Sequence, residues 1–150
     1  MENLKRKDLS NLSKRLIRAG KLLVSGEDQK ELDSYFDTEN FQFHGPGFDA
    51  DYNGLINYFQ AVQAAFGPLV IKRGIIIEQN NYIACQTFIE GKFINDFTQS
   101  PLGTISPNGE KVVFDLMNIF KFDNQGRLID EWVRMDNRGF LNQLGVKESR

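Results

Sequence analysis

Two carboxylates and the only tryptophan alternate along one short stretch near the C-terminus. Leu128, Asp130, Trp132, Arg134 and Asp136 share one parity, and Ile129, Glu131, Val133 and Met135 share the other. Read as a strand, in which successive side chains point to opposite faces, this puts Asp130, Trp132 and Asp136 on one side of a sheet. A carboxylate at a strand end, four residues after a tryptophan, suits an acid or base at a pocket mouth. The chain then turns at Asp136 and Asn137. Phe140, Leu141 and Leu144 supply a helical apolar face that Gly145 ends. Asp136 equally suits the cap of that helix, with Asn137 as the alternative. Arg134 can pair with Asp130 or Glu131, an exposed pair that contributes only ~0–1 kcal/mol. His44 is the only histidine. It follows the alternating Phe41, Gln42 and Phe43 and precedes Gly45, Pro46 and Gly47. That run ends a strand, so His44 is either a turn residue or a group at a cavity rim.

Composition narrows the chemistry. A length of 150 residues fits one domain with a real core. Thirteen phenylalanines against one tryptophan and four tyrosines indicate a large aromatic interior able to line an apolar cavity. A net charge of -2 and a pI near 5.4 argue against a nucleic-acid surface. The one basic exception, Lys5, Arg6 and Lys7 followed by Lys14, Arg15, Arg18 and Lys21, reads as the solvated face of a helix whose apolar stripe is Leu9, Leu12, Leu16 and Ile17. The single cysteine, Cys85, lies in an apolar strand pattern and reads as a buried, inert thiol. One histidine and one cysteine cannot make the usual zinc site. No signal-peptide pattern and no run of ~20 apolar residues is present, which points to a cytoplasmic protein without a membrane partner. Phosphate loops, dinucleotide fingerprints and nucleophile elbows are missing from the sequence.

The elements that must position these groups follow in order. Helical spacing runs from Asp8 to Val24, capped by Asp8 or Ser10, with Gly20 weakening it. A shorter helix spans Glu27 to Phe36. Asp51 or Asn53 caps a third helix, whose apolar face is Leu55, Tyr58, Phe59, Val62, Ala65 and Phe66. Gly67 and Pro68 stop it. Tyr58 and Phe59 serve either core packing or a pocket wall. A strand from Leu69 to Gln79 turns at Asn80 and Asn81 into another from Tyr82 to Ile94. Residues 95–110 read as a loop. Lys111 to Phe122 is a long strand whose two faces are both largely apolar, so both should be covered. Helices and strands are segregated, which argues α+β with an antiparallel sheet.

Several segments together resemble a known family. They are Phe43-His44-Gly45-Pro46, then Gly54 opening an aromatic-rich helix that ends in Ala65-Phe66. Asn124 to Trp132 and Asp136 follow, closing on Gln143-Leu144-Gly145. In order and spacing this is similar to the SnoaL-like polyketide cyclases, over about Leu16 to Gly145. The resemblance implies the nuclear transport factor 2-like fold as a single domain over the chain. That fold is a cone, in which a strongly curved antiparallel sheet wraps on N-terminal helices around an apolar pocket. It further implies intramolecular aldol chemistry on a small apolar keto substrate, with no metal and no cofactor. The role of base falls on Asp136, with His44 as polariser or partner in the acid–base work. Tyr58, Phe59, Gln86, Phe88, Asn118 and Trp132 would contact the substrate. The sequence departs from the family in the strand from Lys111 to Phe122, where cyclases often carry a further histidine. Here only Asp115 and Asn118 are available, and Asn118 can donate a hydrogen bond but cannot shuttle protons. The fold also hosts binders without chemistry. A cyclase- or isomerase-type enzyme and a non-catalytic small-molecule-binding protein are therefore the two readings. Val113, Met117 and Ile119 are candidates for a homodimer interface over the uncovered sheet face.

Overall fold

The structure is a computed structural model that describes residues 9–147. Ser10 caps the first helix, α1 (Asn11–Ser25), by accepting from the Ser13 backbone N–H at 3.1 Å. The alternative cap, Asp8, and the basic run Lys5 to Lys7 lie outside the described residues. Gly26, at φ 72°, closes the helix with its N–H on the Leu22 carbonyl, in the left-handed conformation that glycine adopts most easily. α2 (Gln29–Ser34) is shorter than the sequence spacing predicts. β1 (Gln42–His44) and β2 (Asp49–Ala50) flank the Gly45–Phe48 turn. Asp51 caps α3 (Tyr52–Ala65) through the Gly54 N–H at 2.8 Å.

The helix α3 runs straight into β3 (Phe66–Gln79), so Gly67 and Pro68 sit inside a strand and do not form a break. Burial of Phe66 against Phe93, ring to ring at 5.0 Å, holds that junction. Asn80, at φ 56°, turns the chain into β4 (Tyr82–Phe93). The expected loop over residues 95–110 contains a hairpin, β5 (Phe97–Ser100) with β6 (Gly103–Ile105). Phe97 is fully buried there, with ring contacts to Tyr58, Phe66 and Phe140. β7 (Lys111–Phe122), β8 (Leu128–Met135) and α4 (Asn137–Gln143) complete the chain.

The main sheet has the order β2-β1-β8-β7-β4-β3. It is mixed: the long strands pair antiparallel, but β1 joins β8 in parallel, with Gln42 opposite Asp130 and His44 opposite Trp132. The β3–β4 register shifts between Gly67 and Val70 and again between Arg73 and Ile76. Such bulges bend a strand and tighten its twist, so the sheet curves around the helices. Among the described residues, only the inner face is covered. On β7, Phe114, Asn118, Phe120 and Phe122 are buried under the helices, while Met117 is 60% and Ile119 48% exposed. The expectation that both faces are covered does not hold among the described residues: the core cluster takes the inner face of β7, and Met117 and Ile119 on the outer face stay exposed. No helix among the described residues is long and apolar enough to cross a membrane.

Candidate functional site

Between α1, α3 and the concave face lies an apolar cavity of about 60 Å³. Strand parity decides what enters it. Ile89, Thr87 and Cys85 face inward on β4, and their cross-strand partners Ile71 and Arg73 do the same on β3. Asn118 pairs with Cys85 and Val133, and Phe120 with Glu131, so these also share the inner face. Four polar side chains thus line a wall that is otherwise almost wholly apolar: Arg73, Thr87, Asn118 and Glu131.

These four are linked in a chain. Arg73 Nη1–H donates to Thr87 Oγ1 at 2.6 Å, and the Thr87 hydroxyl donates to Asn118 Oδ1 at 2.7 Å. Asn118 Nδ2–H donates to Glu131 Oε2 at 3.3 Å. Thr87, Asn118 and Glu131 are all buried. The Arg73 guanidinium also lies over the Phe120 ring, 5.4 Å from its centroid. Burial pushes the Glu131 carboxyl up to about 7. The nearby Arg73 charge and the Asn118 hydrogen bond oppose that shift without cancelling it. Burial likewise pushes the Tyr58 phenol up to about 12 at the cavity wall and raises the Cys85 thiol, which fits the inert role read from the sequence. A carboxyl that titrates near neutrality in an apolar cavity can accept and return a proton at physiological pH.

The residues singled out from the sequence divide between two sides. Tyr58, Phe59 and Asn118 line the cavity. Gln86 and Phe88 belong to the opposite parity of β4, on the outer face, where Gln86 Oε1 accepts from the Ile75 N–H at the bulge. Trp132 is also outside, stacked on His44 with ring centroids 5.1 Å apart and planes 14° from parallel. His44 Nε2 lies 3.0 Å from Asp130 Oδ1. Asp136 is exposed and caps α4, accepting from the Gly139 N–H at 2.9 Å. The structure therefore does not bring Asp136 and His44 together, and neither lines the cavity. The carboxylate that does is Glu131, one residue from Asp130 and on the other face. A signal for it was present: Glu131 is the only charged residue among Ile129, Val133 and Met135, as Arg73 is among Leu69 and Ile71.

No family model matches the chain, and no curated protein sequence matches it. Solved structures do. IdmH of Streptomyces antibioticus, a candidate polyketide cyclase, is 21% identical and superposes with a TM-score of 0.73 over 91% of this chain and 100% of its own. A candidate SnoaL-like polyketide cyclase from Jannaschia sp. CCS1 gives 12% identity and a TM-score of 0.73, over 91% and 93% of the two chains. TerC, co-crystallised with polyporic acid, gives 13% and 0.66, over 91% and 100%. At these identities the likeness is one of fold. The chain has the SnoaL-like, nuclear transport factor 2-like fold, with its sheet open and not closed into a barrel.

The Glu131 titration has a consequence for stability. Between its ordinary value of 4.5 and about 7, the folded state holds a proton that the unfolded chain has released. Stability therefore falls as pH rises through that window, by up to ~3 kcal/mol, and is level above it. Glu31 is held low, at about 2, by its hydrogen bonds from Arg18 and Tyr35, so it acts only in more acid solution. Urea unfolding at pH 5 and pH 8 should show this loss in the wild type and not in Glu131→Gln. Parallel pH dependence in the two proteins would contradict it.

Proposed function

We propose that this protein is an enzyme that performs cyclase-like acid–base chemistry on a small apolar keto compound in the concave cavity, with Glu131 as the proton acceptor and donor. The observation that carries the reading is the burial of the Glu131 carboxyl in an apolar wall, with a hydrogen bond from Asn118 as its contact; that burial pushes it up to about 7. In its ionised form Glu131 removes the proton beside a carbonyl, and the electron pair moves onto the carbonyl oxygen as an enolate. Asn118 is fixed by Thr87 at Oδ1 and uses one Nδ2–H on Glu131. In this reading its second Nδ2–H, for which no acceptor stands among the described residues, donates to the enolate oxygen. Attack of the enolate carbon on a second carbonyl forms the C–C bond. Glu131 returns its proton to the resulting alkoxide, so the step is an isomerisation with no atoms gained or lost. Tyr58 and Phe59 shape the apolar wall. The chemistry uses the chain's own groups, and the cytoplasm is the location that goes with this reading.

The second reading is a small-molecule-binding protein without chemistry, favoured by Asn118 on β7, which can donate a hydrogen bond but cannot shuttle a proton. Either reading requires the cavity to widen around its ligand, since about 60 Å³ is less than the ~150 Å³ that holds benzene in an engineered cavity. Thermal shift with aromatic diketones, followed by product analysis, separates the two. Glu131→Gln should bind as the wild type does and lose turnover by roughly 10²–10⁴-fold, whereas Asp136→Asn should keep turnover and lose only a helix cap. Binding without conversion by the wild type supports the second reading, and full turnover by Glu131→Gln contradicts the first.

We further propose that the outer sheet face pairs with a second copy of the chain. Ile77, Ala84, Ile119 and Trp132 form one row across β3, β4, β7 and β8, with Met117 beside it. Ile77 and Ile119 are well exposed, and charged groups such as Lys72, Asp115 and Lys121 rim the patch. An apolar centre with a charged rim suits an isologous contact. Light scattering at micromolar concentration should give a dimer that Ile119→Lys converts to a folded monomer. A wild-type monomer would refute it.

A further inference from the structure

Helix α1 carries a glycine in its interior, where every residue except proline is more favourable. The helix is regular at Gly20, so its use is not a special backbone conformation. Its use is space. A Cβ placed on Gly20 would lie 2.6 Å from Arg73 Nη2 and 3.0 Å from Ile71 Cδ1. Gly20 is buried and forms part of the cavity wall. The Arg73 guanidinium fills the room beside it, held between the bare helix backbone, the Phe120 ring and the Thr87 hydroxyl. Arg73 stands at the residue where the β3–β4 register begins to shift, an irregularity of the kind that bends a strand.

We infer that Gly20 is a positioning residue for the cavity: its missing side chain is the socket that seats the Arg73 guanidinium, and through Arg73 it sets the electrostatics at Glu131. The inference concerns the polar chain and stands whether or not the protein is an enzyme. Among the described residues, few polar or titratable groups share the cavity with Glu131 or lie close to it. β3 contributes Arg73, β4 contributes Cys85 and Thr87, β7 contributes Asn118, and α3 contributes Tyr58. The wall that α1 supplies, Leu16, Ala19, Gly20, Leu23 and Val24, carries no charge. Arg73 is therefore the cation whose attraction works against burial at Glu131.

A methyl group on Gly20 meets the tip of a long side chain and one isoleucine methyl. Gly20→Ala should therefore fold, with the guanidinium displaced from its seat. The test is the titration midpoint of Glu131, read by carbon NMR of the glutamate carboxyls and assigned with Glu131→Gln. It is run on wild type, Gly20→Ala, Arg73→Lys and the double variant, with circular dichroism to confirm the fold. Gly20→Ala should raise the midpoint by about one unit, since a cation moved away no longer favours the carboxylate. Arg73→Lys has no forked tip to collide with the new methyl, so adding Gly20→Ala to it should move the midpoint no further. A wild-type midpoint in Gly20→Ala overturns the inference. So does an equal shift in the Arg73→Lys background, because the effect would then run through the helix and not through the guanidinium.

Discussion

Everything at the candidate site depends on keeping one carboxyl group out of water. Glu131 is inward-facing because β8 alternates and Val133, which shares its parity, belongs to the core; Leu128 also reaches the core, but across the register shift that separates it from Asp130. A charged carboxylate in such a place carries a large desolvation cost, and proteins meet it by neutralising the group or by giving it partners. Here both occur. The group titrates near neutrality, and a chain of hydrogen bonds leads from it through Asn118 and Thr87 to Arg73. Each member of that chain sits on a different strand, β8, β7, β4 and β3. The curvature of the sheet, the bulge after Arg73 and the gap at Gly20 are what let four strands meet at one point.

The sequence displayed the framework more clearly than the site. Asp51, Asn80 and the span of β7 were legible because capping, positive φ and alternation are local rules. The β5–β6 hairpin was not, because its turn-rich composition hides Phe97, whose burial is decided by Phe66 and Phe140 far along the chain. The parallel pairing of β1 with β8 is likewise non-local. At the site, parity correctly separated Asp130 and Trp132 from Glu131, but parity alone does not say which side is concave. Asp136 drew attention by lying at a strand end, and its side chain is used by the helix that follows. The same ambiguity separated Asn118, which reaches the cavity, from Gln86 and Phe88, which do not.

The outer face carries its own polar cluster. His44 stacks on Trp132 and meets Asp130, and its carbonyl accepts from Arg134 at 3.5 Å. These contacts tie the short β1 strand to β8. On the same strand Phe43 points inward and helps form the cavity wall. The histidine thus anchors the strand and turn that border the cavity, a structural task for a residue whose type suggested chemistry.

The central claim is that Glu131 is a protonatable group at neutral pH inside an apolar cavity. Difference infrared spectroscopy of wild type against Glu131→Gln, titrated from pH 4 to pH 9, measures this most directly. The account predicts a carboxylic acid carbonyl band, unique to the wild type, that persists through pH 6 and is replaced by carboxylate with a midpoint at about 7. A carboxylate band already complete at pH 5.5 would mean that Glu131 is hydrated, and the proposed site would lose its proton carrier.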